Sequence, residues 1–385
     1  MPAYTTAQIR NVALVGHAGA GKTSLFEALL FAGGAITTQG SIERGNTVSD
    51  HDPMERERQH SINMSIAPID HGGIHVNLID TPGYPDFRGK TLSALAAVET
   101  CAIVVNASNG VEYSTARMME YAKARRLCRL LVVNKMDHED VDLEILVEQL
   151  RDTFGNECLP INLPAKGRST VVDCFLTPSG EADFSSVAEA HQRIIDQVVE
   201  INEEVMGHYL EEGEAGLSGQ ELHDAFEQCL REGHLVPVCF VSARTGAGVK
   251  ELLDLFEKLM PNPSEANPPL FVKGSGSEAE PFRTEPDAGK HVVADVFKII
   301  NDPFVGKLSV FRIYQGTVRR DTQLFIDDGK KPFKVGHLFK LKGKDHVEIE
   351  DAIPGDIAAV AKIEDIHFDA VLHDSHDEDQ IHLKP

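Results

Sequence analysis

The chain has 385 residues, more than one ordinary domain holds, which indicates two or three domains. Its 37 basic and 60 acidic residues give a net charge of −23, which argues against binding nucleic acid through overall charge. Because the sequence has neither an apolar run long enough to span a membrane nor a secretory signal, and its six scattered cysteines form no CxxC pair, we expect a cytoplasmic protein with reduced thiols.

Apolar runs alternate with helical patterns over much of the chain. The runs predicted as buried strands are 11–15, 75–80, 101–106, 128–133 and 236–241, and the predicted helices include 22–32, 111–126 and 247–259. Such alternation is typical of an α/β domain with a largely parallel sheet. We assign residues 1–157 and 232–262 to this domain.

Three further parts are predicted from changes in this pattern. The alternation stops over 158–231, where we expect an inserted subdomain with two short strands and one long acidic helix over 185–212. Prolines and a Gly-Ser stretch mark 263–290 as a linker. Over 291–377 the hydrophobic period becomes two, with Gly and Asp turns, which predicts a small β-barrel.

A glycine-rich loop carries the strongest signal for chemistry. The residues assigned to it are Gly16, His17, Ala18, Gly19, Ala20, Gly21, Lys22, Thr23 and Ser24. The loop matches GxxxxGK[ST], follows a predicted strand and opens a predicted helix, which is the context that this phosphate-binding motif requires. Its backbone N–H groups can surround phosphate oxygens, Lys22 can neutralise the β- and γ-phosphates, and Thr23 can bind Mg²⁺.

Two motifs close later strands of the predicted sheet. Asp80 begins the sequence DTPG, where its carboxylate can hold Mg²⁺ and Gly83 can approach a γ-phosphate because it has no side chain. The sequence NKMD supplies Asn134, Lys135 and Asp137. Asp137 can accept hydrogen bonds from the guanine N1–H and 2-amino groups, both of which adenine lacks, and Lys135 can lie along the base.

A fourth motif follows the run VPVCFV. It consists of Ser242, Ala243 and Arg244, and a backbone N–H of Ser242 or Ala243 could bind the guanine carbonyl. Ligands of open α/β sheets bind at the carboxyl ends of the strands. Four motifs in this order, each at a strand end, therefore predict a P-loop NTPase site for GTP or GDP with Mg²⁺.

These motifs resemble those of translational GTPases of the elongation factor G family, and most closely the elongation-factor-G-like paralogues. DTPGYPDF is similar to the family's DTPGHxDF, and VVNKMD to its guanine-specificity strand. SARTGAGVKELLDLFEKLMPNP resembles the end of the family's GTPase domain, and NDPFVGKLSVFRIYQGTV and PGDIAAVAKIEDI resemble its second domain. The resemblance implies a Ras-like GTPase domain with an inserted subdomain, followed by a translation-factor-type β-barrel domain.

The resemblance also implies a GTP-binding translation factor that acts on the ribosome, in translocation or recycling. The family continues into three further domains, whereas this chain stops at DQIHLKP, so we expect residues 378–385 to begin a third domain and the chain to be a fragment or a natural truncation. Two alternatives stay open: a GTP-gated ribosome-binding module that does not hydrolyse GTP, and a ribosomal protection factor.

The expected catalytic centre departs from the family's pattern. Tyr84 stands where the family has the His that orients the attacking water, and a phenol is a poor proton acceptor at neutral pH. Ser61 replaces the Thr that binds Mg²⁺ and keeps its hydroxyl. His60 and Ala18 replace two apolar gate residues, and Gly19 replaces an Asp. We therefore expect a GTPase with weakened hydrolysis, unless the Tyr84 hydroxyl positions the water.

The predicted roles follow from this alignment. The residues assigned to catalysis are Tyr84, Lys22 and Gly83, and those assigned to the metal are Thr23, Ser61 and Asp80. His60 could swing toward the γ-phosphate in place of the missing imidazole, or it could be a solvated loop residue, which we favour.

Partner surfaces are predicted in the barrel and in the insertion. A run of lysines without acidic residues favours contact with ribosomal RNA phosphates, although protective edge lysines would give the same pattern. These lysines are Lys330, Lys331, Lys334, Lys340, Lys342 and Lys344. The resemblance assigns a ribosomal stalk contact to residues 158–231. The histidines near the end fit no metal-ligand spacing and are expected to be solvated: His367, His373, His376 and His382.

Overall fold

The computed structural model describes residues 4–267, 269–274, 279–303, 305–375 and 381–383. The strands of its first part are β1 (Ile9–Gly16), β2 (Ser65–His71), β3 (Ile74–Asp80), β4 (Thr100–Asn106), β5 (Cys128–Asn134), β6 (Cys158–Pro160), β7 (Asn162–Ala165), β8 (Thr170–Asp173) and β9 (Val236–Phe240). Within the described residues, seven of these strands form one sheet in the order β2-β3-β1-β4-β5-β9-β6. All its pairings are parallel except β2 with β3.

Helices cover both faces of this sheet and the inserted region. They are α1 (Lys22–Ala32), α2 (Pro53–Arg58), α3 (Arg88–Ala96), α4 (Tyr113–Ala124), α5 (Leu143–Phe154), α6 (Val187–Val199), α7 (Glu203–Glu212), α8 (Gly219–Glu232) and α9 (Val249–Lys258). The central strands are buried along their whole length, as expected for a parallel sheet between helices. The predicted α/β domain is confirmed. All six cysteines are buried and unpaired, as expected.

The strand register determines where the motifs meet. Leu14 of β1 pairs with Asp80 of β3, and Asn106 of β4 pairs with Asn134 of β5. Because the strands are parallel, their carboxyl ends lie at one edge of the sheet. Motifs that are more than 100 residues apart in the sequence are thereby brought to one site.

The inserted region differs from the expectation in two respects. Cys158–Pro160, assigned to the insertion, is the edge strand of the main sheet and pairs with β9. The single long helix expected over 185–212 is wrong, because α6 ends at Val199 and Asn202 starts a new helix. The Asn202 side chain accepts the backbone N–H groups of Glu204 and Val205, at 2.9 and 3.3 Å, and such capping favours a helix start.

The second part of the chain is built of antiparallel strands. They are β10 (Phe271–Lys273), β11 (Glu280–Phe282), β12 (Val293–Asp302), β13 (Gly306–Gln315), β14 (Val318–Arg319), β15 (Gln323–Ile326), β16 (Phe333–Lys334), β17 (Leu338–Lys342), β18 (Asp345–Ile349), β19 (Asp351–Ala352), β20 (Ile357–Ala361), β21 (Val371–His373) and β22 (Ile381–Leu383). Eight of them form a curled sheet in the order β16-β15-β21-β12-β13-β20-β17-β18 among the described residues. This agrees with the predicted β-barrel.

The segment predicted as a linker is partly structured. Its strands β10 and β11 pair with each other, and β10 also pairs with β22 near the end of the chain. Val272 therefore lies opposite both Pro281 and His382. Parts of the predicted linker and of the last segment lie outside the described residues: Pro268, 275–278, 376–380, 384 and 385.

Buried polar contacts join the two domains. The Arg312 guanidinium of β13 donates to the Glu99 carboxylate at 2.6 Å, and both side chains are almost inaccessible. Glu99 also accepts from Asn11 of β1 at 2.7 Å. Breaking one partner of a buried ion pair is strongly destabilising, so this contact restrains the position of the barrel. Among the described residues, no helix combines the length and the apolar character that crossing a membrane requires.

Candidate functional site

A cleft of about 750 Å³ opens at the carboxyl edge of the main sheet. Residues from all four sequence motifs line it, together with residues 39–44, 50 and 59–61. The predicted site residues among the lining are Ala18, Gly19, Gly21, Lys22, Thr23, Ser24, Ser61, Gly83, Tyr84, Asn134, Lys135, Asp137, Ala243 and Arg244. The fold thus brings most of the predicted site together in one place.

The other predicted residues lie beneath or beside the cleft. Gly16 packs so tightly that a Cβ there would lie 2.4 Å from the Val104 carbonyl oxygen. His17 turns away, since its Nδ1 contacts the Ser114 hydroxyl at 3.2 Å. The remaining three support the cleft from below: Ala20, Asp80 and Ser242, each without measurable exposure.

The phosphate-binding loop has the backbone geometry that its glycines permit. Gly19 and Gly21 have φ angles of +81° and +86°, a region that favours glycine. The Lys22 ammonium donates to the carbonyl oxygens of Gly16 and His17 at 3.1 and 2.9 Å, so the lysine braces the loop from within. Burial lowers the pKa of Lys22 to about 8, against the opposing charge of Asp80. Phosphate oxygens would add negative charge beside this buried ammonium.

The three predicted metal ligands meet below the loop. The Thr23 hydroxyl lies 3.1 Å from the Ser61 hydroxyl and donates to Asp80 Oδ2 at 2.7 Å. Ser49 donates to the same oxygen at 2.7 Å. Asp80 is fully buried, and burial raises its pKa. The oxygens of three separate segments therefore converge on one point.

Asp50 is a further member of this cluster, and no sequence motif indicates it. Its side chain is 3% exposed, and burial together with the charge of Asp80 raises its pKa to about 7. Neither Asp50 oxygen has a hydrogen-bond partner among the described residues, and neither does Oδ1 of Asp80. No spacing motif surrounds Asp50, so its position beside Asp80 in the fold is the signal that identifies it.

This donor set fits a hard divalent cation. Two buried carboxylates and two hydroxyls offer oxygen atoms only, which is the ligand type that Mg²⁺ prefers. Unpartnered buried carboxylate oxygens are costly unless a cation or a hydrogen bond satisfies them. The residues that would hold Mg²⁺ are Thr23, Asp50, Ser61 and Asp80.

Asn134 joins the phosphate loop to the motif after β9. Its Nδ2 donates to the carbonyl oxygens of Ala20 and Gly21 at 3.1 and 3.3 Å. Its Oδ1 accepts the backbone N–H groups of Lys135 and Ala243 at 2.8 and 3.0 Å. Asn134 therefore holds three of the four motifs in register.

The base end of the cleft differs from the expectation in one detail. Asp137 is paired with the exposed Arg244 guanidinium, and its Oδ1 accepts no hydrogen bond from any residue that the structure describes. The N–H of Ser242 donates to the Ala247 carbonyl at 2.8 Å, and the N–H of Ala243 is bound by Asn134. Both backbone donors proposed for the guanine carbonyl are therefore already engaged within the protein.

Tyr84 and His60 form an aromatic pair at the phosphate end. Tyr84 is 44% exposed, and its ring centroid lies 4.6 Å from that of His60. His60 also contacts the Phe87 ring at 6.3 Å. The structure therefore places His60 against Tyr84. This arrangement was not predicted, since His60 was expected either near the γ-phosphate or in solvent.

Gly83 brings the DTPG motif against the phosphate loop. A Cβ at this position would lie 2.4 Å from the Lys22 ammonium and 2.7 Å from the Ala18 nitrogen. Only glycine allows this approach without a shift of the backbone.

The lysine run in the barrel is divided by the fold. Lys340 pairs with buried Asp356 at 2.9 Å and donates to His75 at 2.8 Å, and Lys342 donates to the Ala35 carbonyl. The ammonium groups of these two lysines bind protein atoms of the chain itself, so the structure does not present them for the predicted contact with RNA phosphates. The lysines that stay exposed are Lys330, Lys331, Lys334 and Lys344.

The histidines near the end make local contacts. The Nε2 atom of His367 lies 2.9 Å from an Asp327 carboxylate oxygen, and that of His373 lies 2.7 Å from the Asp327 carbonyl oxygen. His376 lies outside the described residues. His367 is exposed, as expected, whereas His373 is buried, so the expectation of a solvated side chain is wrong for His373.

Comparison with known proteins adds three findings. Two family models match the chain: the elongation factor Tu GTP binding domain over residues 7–262, and elongation factor G domain 2 over residues 291–372. The elongation factor G-like protein of Mycobacterium tuberculosis, in two strains, is 30% identical over 389 residues, covering 92% of this chain and 53% of the relative. A crystal structure from Thermus thermophilus is 33% identical with a TM-score of 0.82, covering 96% of this chain and 55% of that one. The chain spans about half the length of these relatives.

Proposed function

The chain belongs to the translational GTPases of the elongation factor G family, and from this premise we propose that it is a GTP-gated factor that acts on the ribosome and hydrolyses GTP slowly. One observation carries the proposal: all four nucleotide motifs line a single cleft. The same cleft holds a tyrosine at the position that the family resemblance assigns to the catalytic histidine. We expect a role in recycling or translocation.

The ligand that this cleft supports best is GTP or GDP with Mg²⁺. Lys22 would exchange its bonds to loop carbonyls for phosphate oxygens, and the N–H groups of the loop would surround the same phosphates. Oδ1 of Asp137 has no hydrogen-bond partner among the described residues and would accept the guanine N1–H. Oδ2 would accept a hydrogen bond from the guanine 2-amino group once Arg244 moves aside.

Hydrolysis would be an attack of water on the γ-phosphorus, releasing GDP and phosphate. When bound, Mg²⁺ supplies charge neutralisation for the β- and γ-phosphate oxygens. The chain's own residues would position the rest: Lys22 neutralises oxygens, Gly83 lets its backbone approach, and Tyr84 can donate its hydroxyl to the water. A tyrosine hydroxyl cannot readily take the water's proton at neutral pH, so this centre would turn over slowly.

A GTP-gated module without useful hydrolysis is the second possibility. The packing of His60 on Tyr84 favours it, because the pair occupies the side of the cleft from which water would be oriented. In that case nucleotide exchange rather than hydrolysis would end the ribosome-bound state.

The ribosome would be contacted through phosphates. Lys330, Lys331, Lys334 and Lys344 are exposed on the barrel of an otherwise acidic chain, and contacts of this kind weaken steeply with salt. A stalk contact through the inserted region around α6 to α8 stays part of the proposal.

Calorimetry and turnover assays test the proposal. Titration with GDP, GTP and ATP in Mg²⁺ should show tight binding of the guanine nucleotides only. GTP turnover should then be slow alone and rise with ribosomes. Equal affinity for ATP, or no binding at all, would refute the nucleotide site. Nucleotide binding without any sedimentation of the chain with ribosomes would refute the proposed partner.

A further inference from the structure

Glu27 is a charged residue that no motif assigns, yet it lies fully buried beside the nucleotide cleft. Its side chain has no measurable exposure, and burial raises its pKa, although nearby backbone N–H groups oppose that rise. Oε2 accepts the N–H of Gly40 at 3.1 Å, and Oε1 accepts the N–H of Val48 at 2.6 Å. One carboxylate thus ties together both ends of the 40–48 segment.

The place of Glu27 on its helix connects this tie to the metal site. Glu27 follows Thr23 by four residues in α1, so the two side chains lie on the same face of the helix. Thr23 contacts Asp80 and Ser61. One face of α1 therefore presents Thr23 to the metal-binding oxygens and Glu27 to the 40–48 segment.

The hydrogen bond between Glu27 and the Val48 N–H also restrains the residues that follow Val48. The next residue, Ser49, donates to Asp80 at 2.7 Å, and both carboxylate oxygens of Asp50 are buried without a hydrogen-bond partner among the described residues. Moving the Val48 backbone would move both of these side chains. The Glu27 carboxylate is what holds the Val48 N–H on the core side.

The barrel holds Val48 from the opposite side. Gly343, in the turn between β17 and β18, has a φ of +60°, and a Cβ there would lie 2.4 Å from the Val48 carbonyl oxygen. The Gly343 N–H also donates to the Ile66 carbonyl of β2 at 2.9 Å. Val48 is therefore fixed between a buried carboxylate and the second domain.

We propose that Glu27 is a positioning residue for the metal–nucleotide site, which holds Ser49 and Asp50 in place by binding the backbone N–H groups of Gly40 and Val48. The inference rests on the proposed function, since it concerns the retention of a guanine nucleotide with Mg²⁺. A carboxylate suits this task because it can accept from two N–H donors at once, and a charged acceptor gives stronger hydrogen bonds than a neutral one.

The variant Glu27→Gln tests the role with little change in volume. An amide offers one acceptor, and its NH₂ group would face a backbone N–H, so one of the two bonds is lost. We would measure how fast the full chain releases a fluorescent GDP analogue at Mg²⁺ concentrations that range from none, in the presence of a chelator, to millimolar. We expect the Mg²⁺ concentration that half-maximally slows release to rise about tenfold, as for other residues that orient metal ligands. Release in chelator should stay unchanged.

A second variant keeps the test decisive if Glu27→Gln fails to fold. A Cβ at Gly40 would lie 2.6 Å from Glu27 Oε2, so Gly40→Ala displaces the loop while leaving α1 intact. It should shift the Mg²⁺ requirement in the same direction. The exposed Glu148→Gln on α5 is the matched control and should behave as wild type.

The inference would be overturned if Gly40→Ala and a folded Glu27→Gln both needed the same Mg²⁺ concentration as wild type to slow GDP release. It would also be overturned if the variants released GDP faster by the same factor with and without Mg²⁺. Either result would leave the proposed function standing. If the unmodified chain bound no GDP, the proposed function would fail and the inference with it.

Discussion

The two sides of the nucleotide cleft are built in different ways. We call residues 16–24, 134–137 and 242–244 the anchor side, and residues 49–61 and 80–84 the switch side. On the anchor side, Asn134 and Lys135 bind the phosphate loop directly, with Lys135 donating to the Gly19 carbonyl at 2.9 Å. On the switch side, Asp50 and Asp80 keep oxygens without a partner among the described residues, and Tyr84 is 44% exposed.

We expect this difference to separate nucleotide binding from GTP hydrolysis. The anchor side is already held together by internal hydrogen bonds, so it costs little to order when the nucleotide binds. The switch side has buried carboxylate oxygens without a hydrogen-bond partner among the described residues, and the aromatic pair of His60 and Tyr84. Anchor-side changes should therefore reduce affinity, while switch-side changes should alter turnover or the Mg²⁺ requirement.

The largest effect is expected for Lys22→Ala. Removing the ammonium leaves the phosphates of a bound nucleotide without their buried cation, a loss of about 4 kcal/mol, or roughly 1000-fold in GTP affinity. Calorimetry with GTP measures it. Exposed Lys123→Ala in α4 is the control. A loss below about tenfold would show that Lys22 is not a phosphate ligand.

The next largest effect is expected for Asp137→Asn. The amide has only one acceptor for two guanine donors, and the unmatched group costs about 3 kcal/mol, so GDP affinity should fall by roughly 100-fold. Competition between GDP and the labelled nucleotide measures the change, with exposed Asp140→Asn as the control. If affinity for GDP were retained, the base would not lie at Asp137.

On the switch side, Tyr84→His should change the rate and leave binding alone. An imidazole can orient the attacking water and accept its proton, so ribosome-stimulated turnover should rise about tenfold, less than a fully positioned base supplies because Ala18 and His60 stay unchanged. Tyr113→His, at another exposed tyrosine, is the control. Unchanged turnover together with unchanged binding would point to the module without hydrolysis.

The smallest effect is expected from pH. Burial and the charge of Asp80 raise the pKa of Asp50 to about 7, so the carboxyl is uncharged below that pH and charged above it. Since a metal competes with the proton, the Mg²⁺ concentration needed to retain GDP should fall by up to about tenfold from pH 6 to pH 8. Nucleotide release at graded Mg²⁺ measures this.

Asp50→Asn should flatten that pH profile, because its amide does not titrate in this range. The exposed Asp152→Asn on α5 should keep the wild-type slope. An unchanged slope in Asp50→Asn would assign the proton to another group and place Asp50 outside the metal cluster.

Much of the fold was predictable because its signals are local. The helix after the phosphate loop is observed over Lys22–Ala32, as predicted, and the strand predicted over 128–133 is observed over Cys128–Asn134. The antiparallel edge strand β2 was missed, since it lies in a segment without a clear hydrophobic period. The break near Asn202 was also missed, because one capping side chain outweighs the continuous helical pattern around it.

The sequence by itself was enough to predict which residues would bind phosphate and base, since a P-loop and the NKMD tetrapeptide specify their chemistry within a few consecutive residues. Only the tertiary structure decided which roles Glu27, Asp50 and Lys340 can have. Their surroundings come from segments far away in the chain, as with Lys340 and His75. Burial and the identity of a distant partner decide whether a charged side chain binds a ligand, braces the backbone or joins two domains, and neither can be read from spacing along the sequence.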